Sequence, residues 1–130
     1  MTNKSPSLFG LLNIFDELLT EGPEPTSMLV GRAQGLYGSV GQKELSLLMA
    51  MNFVFTIGKF NGSSLTILGR NAALQPLREM PIIGGTGAFR LAHGFVTAKM
   101  HVFLKFYLWG CHCRLPCSGY NCLFGSLEKE

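Results

Sequence analysis

The sequence predicts an all-β protein, a small antiparallel barrel or sandwich, on three observations. From Leu45 to Thr56, large apolar residues recur at every second position: Leu45, Leu47, Met49, Met51, Phe53 and Phe55. Two is the period of a strand, and six such residues on one side mean a buried face. Asn61-Gly62 then gives a hairpin signal, because Asn-Gly tolerates the positive φ values of a type I′ turn, and a second alternating run follows. Finally, the glycine-rich bend Gly84-Gly85-Thr86-Gly87 lies inside a β-branched and alternating stretch, Pro81 to Lys99, around which the chain is organised. Glycines at such a place permit the bulge that curls a sheet.

Taken in order, the elements fit that class. Leu8 to Leu19 is mostly apolar and leans towards a strand through Ile14-Phe15. Its neighbours Asp16 and Glu17 would point to opposite faces of an extended chain, so they read as a solvated strand end and not as a paired-carboxylate site. Thr20 to Ser27 holds two prolines and a glycine and reads as a loop. In Met28–Tyr37 the small residues Gly31, Ala33 and Gly35 share a close-packed face with Leu29 and Tyr37, and Arg32 and Gln34 mark a polar face with Val30 and Leu36. Gly38 to Glu44 reads as a turn. In the clear strand that follows, the methionines either fill core or line an adaptable ligand cavity. Ser64 to Gly69 returns as its hairpin partner, and Arg70 to Met80 reads as irregular because Pro76 interrupts it. Pro81 to Lys99 reads as one long strand with Phe89, Leu91, His93, Phe95 and Thr97 on one side. A phosphate cradle at its glycines would need a following helix and a P-loop lysine, and an alternating run stands there instead. Five or six short antiparallel strands and no clear helix indicate a small barrel or sandwich.

At 130 residues the chain is one domain. With 47% hydrophobic and 15% charged residues it is globular and rather apolar. A scattered net charge of +3 gives no footprint for nucleic acid, and no apolar run reaches the length of a membrane span. The polar opening and the short apolar stretch Leu8 to Phe15 do not read as a secretory leader, which by itself predicts retention in the cytosol.

Several motifs together resemble the dirigent proteins of plants. They are Leu19 to Ser27, Val30-Gly31-Arg32-Ala33-Gln34-Gly35-Leu36-Tyr37, Leu48 to Thr56, Phe60-Asn61-Gly62-Ser63, Leu68-Gly69-Arg70-Asn71, Arg78-Glu79-Met80-Pro81 and Ile83 to Gly87. The resemblance runs from about Phe9 to Lys99. It implies the fold shared with allene oxide cyclases: an eight-stranded antiparallel barrel that assembles as a homo-oligomer, usually a trimer. It also implies secretion to the apoplast, a glycan at the Asn61-Gly62-Ser63 sequon, and a part in lignan biosynthesis. A laccase or peroxidase would supply phenoxy radicals of a monolignol such as coniferyl alcohol, and the barrel would impose stereochemistry on their coupling without oxidising anything and without a cofactor. A small barrel suits the task, since its interior and mouth hold one or two flat apolar molecules with a few polar anchors.

For that role the candidate substrate contacts are Arg32, Gln34, Asn52, Phe53, Phe89 and Phe95, and the candidate proton donor is His93. Lignan-forming members carry an aspartate directly after the Gly-Gly-Thr-Gly motif, where this chain has Ala88, and many carry an arginine where it has His93. His93 reads either as the substitute acid near neutral pH or as a histidine packed among Phe89, Leu91 and Phe95. The boundaries expected are a disordered end at 1–8, the barrel domain at 9–99 and a divergent cysteine-containing tail at 100–130. The first and last strands of the family are not matched, so the barrel is expected to be incomplete at both ends, with exposed edges. An alternative role follows: an inactive fragment acting only by assembly with full-length relatives. A cyclase on the same barrel is a third. In the tail, Cys111, Cys113, Cys117 and Cys122 lie within twelve residues beside His112; zinc, disulfides and an accidental cluster are the three readings, and no metal site is assigned.

Overall fold

The computed structural model describes residues 8–22, 24, 26–72, 74–99, 106–107, 111–115, 120–123 and 126–129. Among these, one sheet accounts for nearly all regular structure. Its strands are β1 (Leu12–Thr20), β2 (Leu29–Ser39), β3 (Leu47–Phe55), β4 (Ser64–Asn71), β5 (Leu77–Thr86), β6 (His93–Lys99), β7 (Phe106–Tyr107), β8 (Cys111–Leu115), β9 (Tyr120–Leu123) and β10 (Ser126–Lys129). The spatial order is β10-β9-β8-β6-β5-β4-β3-β2-β1-β7, antiparallel throughout except for the parallel β1–β7 pair. Among the described residues the two ends of that order are not hydrogen-bonded to each other, so the sheet is not closed. This is the expected barrel-type sheet, left incomplete.

Curling follows from the alternation in the sequence. Leu47, Met49, Met51, Phe53 and Phe55 all turn inwards and are buried, with Phe15, Leu19, Ala33 and Tyr37 from β1 and β2, Leu65 and Ile67 from β4, and Met80, Ile82 and Val96 from β5 and β6. Burying these side chains, each a gain of roughly 1.5–3 kcal/mol, is what draws the sheet around them. The bulge expected beside the glycine-rich bend is present. Opposite Thr66 stands Gly84, but opposite Ile67 stands Ile82, so Ile83 is the extra residue; it is exposed while Ile82 is buried.

Four expectations need correction. Pro81 to Lys99 is not one strand: β5 ends at Thr86, a 3-10 turn covers Gly87–Phe89, and β6 returns antiparallel from His93. Gly87 has φ 63° and Leu91 φ 62°, left-handed values that reverse the chain and break the alternation. Phe89 is therefore fully buried, whereas Leu91 is 66% exposed and His93 is exposed; Ala92, just before β6, and Val96 within it face the core.

The β3–β4 hairpin is present, but its turn is not type I′. Asn61 has φ −53° and ψ 128°, and Gly62 has φ 86°. These are type II values, which require a positive φ only at the second central residue. A 3-10 turn, Gly58–Phe60, precedes it. The β3–β4 and β5–β6 loops are near-copies: each opens on a glycine of positive φ (Gly58, Gly87), carries a phenylalanine two residues on (Phe60, Phe89), and closes on a left-handed residue (Gly62, Leu91). Their hydrogen bonds match as well, Asn61 N–H to Gly58 O and Arg90 N–H to Gly87 O, both 3.2 Å.

The divergent tail does not stand apart from the sheet. Instead β8 pairs antiparallel with β6, from His93 opposite Arg114 to Val96 opposite Cys111. Gly94, with φ 150°, sits where a Cβ would overlap the His112 carbonyl and come within 2.8 Å of the Cys113 Cα, so glycine is what lets β8 approach. Arg70–Met80, read as irregular, holds the end of β4 and the start of β5.

Candidate functional site: the two ends of the inner face

The inner face has an aromatic end and a polar end. At the aromatic end, the twin loops fold their phenylalanines over the sheet. Phe89 packs 5.0 Å from Phe60 and 5.1 Å from Phe55, and Phe55 lies 6.2 Å from Phe60, all between ring centroids in tilted or edge geometry. Buried Ser63 holds the two loops together, its hydroxyl accepting the Ala88 backbone N–H at 2.9 Å. Phe60 is half-buried and has the Lys59 ammonium 5.3 Å from its ring centre, which makes it the rim of this end.

At the polar end, Ser39, Leu47 and Asn71 are side by side across β2, β3 and β4, and Arg78 joins them from β5. Ser39, Asn71 and Arg78 are all buried. Arg78 Nη1 donates to Asn71 Oδ1 at 3.2 Å, and Asn71 Nδ2 donates to Met49 Sδ at 3.0 Å. Arg78 Nε and Nη2 are buried with no acceptor. Burial depresses the guanidinium pKa, since desolvation disfavours the charged form, yet arginine stays a cation at neutral pH.

The sequence-predicted contacts are divided between the two faces. Phe53 and Phe89 lie in the core. Arg32, Gln34 and Asn52 lie on the outer face, where Gln34 stands between Asp16 and Asn52, and Asn52 stands opposite Thr66. There Arg32 Nε donates to Asp16 Oδ1 at 2.6 Å, and this hydrogen bond holds the Asp16 carboxyl below the usual carboxylate range. Thr66 donates to Asn52 Oδ1 at 2.8 Å. Phe95 also faces outwards, stacked on His112 of β8 at 4.7 Å. His93 opens β6, exposed and not packed in the core. Asn61 is exposed at its turn. The structure thus brings Phe53 and Phe89 into one apolar body and Arg32, Gln34 and Asn52 into one polar outer strip.

Sequence reading missed Arg78 and Asn71. The signal was there, since Arg78, Met80 and Ile82 alternate as one strand face, but Pro76 led the segment to be read as irregular. An open depression of about 700 Å³ lies between Phe9 and the turn Val40 to Glu44, which follows directly on Ser39 and so borders the polar end. Cys113 is buried, and no group of three metal-ligating side chains occurs among the described residues. Residue 117 and the side chains at 111 and 122, on which the zinc and disulfide readings also depend, lie outside the described residues.

Comparison with known proteins gives the arrangement a family. The dirigent-like protein model matches residues 1–107, extending past both limits read from the motifs. The chain is 57% identical over 102 residues to dirigent protein 21 and 51% identical over 102 residues to dirigent protein 23, both of Arabidopsis thaliana. In each case 78% of this chain and 54% of the relative are covered, so the chain spans about half the length of the curated relatives it matches. It is 51% identical over 94 residues to pterocarpan synthase 1 of Glycine max, with 72% of this chain and 50% of that protein covered. Among solved structures, the pterocarpan synthase dirigent protein GePTS1 superposes with a TM-score of 0.66 at 53% identity, over 70% of this chain and 53% of that one. A family match across most of the sequence, joined to a curled antiparallel sheet of the same shape, makes this chain a member of the dirigent family.

Proposed function

We propose that the protein imposes stereochemistry on the coupling of phenoxy radicals of a monolignol, coniferyl alcohol, in lignan biosynthesis, with a separate laccase or peroxidase generating the radicals. The observation that carries this reading is the inner face itself, with aromatic rings at one end and a buried cation with free donors at the other. A flat phenolic placed between them has its ring against apolar surface and its oxygens towards the guanidinium. Favouring one approach geometry by about 1.4 kcal/mol gives a tenfold excess of one enantiomer, so positioning alone suffices. The same reading has the protein act in the apoplast, with a glycan on exposed Asn61. It also has the protein act as a homo-oligomer, which the apolar strip Ile14, Leu36, Leu48 and Leu68 on the outer face supports.

A second reading is favoured by the pterocarpan synthases among the similar proteins: ring closure on a phenolic precursor without any oxidant. One experiment separates the two. Coniferyl alcohol is oxidised by a laccase with and without the protein, and the products are resolved by chiral chromatography. An enantiomeric excess supports the director. A racemic product from a folded sample refutes it for this substrate, and turnover of a phenolic precursor without oxidase establishes the ring-closing activity. If both fail while the chain co-assembles with full-length relatives, its role is assembly.

A further inference from the structure

We propose that the free edge of Arg78 is a subsite for a pair of neighbouring acceptor oxygens, the ortho methoxy and phenolic oxygens of a guaiacyl ring. This rests on the phenolic reading above and names the group that would hold the substrate. Arg78 is only 4% exposed, and its Nε and Nη2 have no hydrogen-bond partner. A buried donor left without an acceptor is costly, and a buried cation is more so. Among the described residues the other buried polar groups are Ser39, Ser46, Ser63 and Asn71, so no carboxylate stands inside to neutralise it.

The geometry defines what would. Nη1 is already engaged by Asn71, whose own amide is anchored on Met49 Sδ. That chain fixes the plane of the guanidinium and leaves the Nε–Nη2 edge free. On that edge two N–H groups point the same way, the fork that recognises two oxygens side by side. A carboxylate offers such a pair, and so does an ortho-methoxyphenol. Access is through yielding side chains: Met49 carries the anchor, and Met80 follows Arg78 by two positions on the same buried face. Unbranched methionines reshape around an entering ring more readily than branched residues. The methionine row, for which core filling is the plainer reading of the sequence, is at this end lining.

The test uses three probes on one phenylpropenyl skeleton that carry different oxygen groups, with binding to the full chain measured by isothermal titration calorimetry. Coniferyl alcohol carries the ortho pair, cinnamate carries a carboxylate and no ring oxygens, and cinnamyl alcohol carries neither. The proposal expects coniferyl alcohol to bind at least about tenfold more tightly than cinnamyl alcohol, and Arg78→Met to abolish the difference. If cinnamate alone gains over cinnamyl alcohol and loses that gain in Arg78→Met, the subsite takes carboxylates and its assignment to a guaiacyl ring is overturned. Equal binding of all probes, binding of none, or a preference that survives Arg78→Met overturns the proposal. Should Arg78→Met not fold, the unmodified protein decides: the Arg78 Nε–H resonance must move on adding coniferyl alcohol and stay in place with cinnamyl alcohol. Failure here together with an enantiomeric excess in the coupling assay would overturn the subsite and leave the director reading standing.

Discussion

Replacing Phe89 by alanine tests whether the β5–β6 loop is seated in the core or presents its ring to a ligand. Phe89 has no exposed surface and lies about 5 Å from two other rings, Phe55 at 5.1 Å and Phe60 at 5.0 Å. Truncating a buried phenylalanine costs about 3–5 kcal/mol, through lost transfer energy and the cavity left behind. Two aromatic pairs, each worth about 0.5–1.5 kcal/mol beyond burial, keep this site clear of the lower end of that range, near 4 kcal/mol. Collapse cannot recover much, because Ser63 ties the loop to its neighbour and Gly85 abuts the Phe89 backbone and Cβ. Against a total stability of about 5–15 kcal/mol, that is a large fraction. Urea unfolding followed by circular dichroism reads it out. With m near 2 kcal/mol/M, the midpoint falls by about 2 M at unchanged slope. A fall below about 0.5 M would refute the reasoning, since the ring would then be no part of the core. Phe89→Leu should recover more than half of the loss.

Further predictions follow from the same geometry. Leu91 occupies the left-handed position that Gly62 holds in the twin loop, so Gly62→Ala should lower stability by about 1 kcal/mol; Leu91→Gly should be neutral to stabilising by up to ~1 kcal/mol, because relieving about 1–2 kcal/mol of strain exceeds glycine's entropic penalty. Thermal melts of both variants check the pair, and a marked destabilisation by Leu91→Gly would contradict it. Gly94→Ala should lower stability by about 2 kcal/mol or more through its φ of 150° and the overlap with β8, and should strip hydrogen-exchange protection from 111–115 while sparing β2 and β3. Unchanged protection there would mean that β8 does not lie against β6. The Asp16 pKa is lowered chiefly by the Arg32 hydrogen bond, so its contribution is present above the unfolded pKa and is lost as pH falls through the lower folded value. Acid unfolding of Arg32→Ala should lack that loss, and the difference should shrink with salt because the pair is exposed. Arg78→Met should change stability by less than about 1 kcal/mol, far from the 3–5 kcal/mol of breaking a satisfied buried ion pair, because its removal frees two unpaired nitrogens while costing one bond to Asn71.

What the sequence determined by itself was local and periodic. Leu47 to Phe55 alternates so regularly that its buried face is legible residue by residue, and Asn61-Gly62 marks the hairpin that follows it. The antiparallel class, the curling at Gly84-Gly85 and the family follow from such short-range signals and from motifs in fixed order. Tertiary structure decided everything that depends on which strand end meets which. Alternation assigns residues to a face but not to an end of that face. Grouping Asn52 and Arg32 with Phe53 in one site runs against the alternation itself, since the pleat sends them to the opposite face. Phe89 turns inwards only because Gly87 and Leu91 adopt positive φ and reverse the chain, a choice that Leu91 as a residue type argues against. The tail joins the sheet because Gly94 leaves room for β8, a contact between segments whose own patterns do not announce one another. Arg78 and Asn71 meet for the same reason: β4 and β5 are paired across a bulge, and only their registration sets a cation beside an amide in the interior.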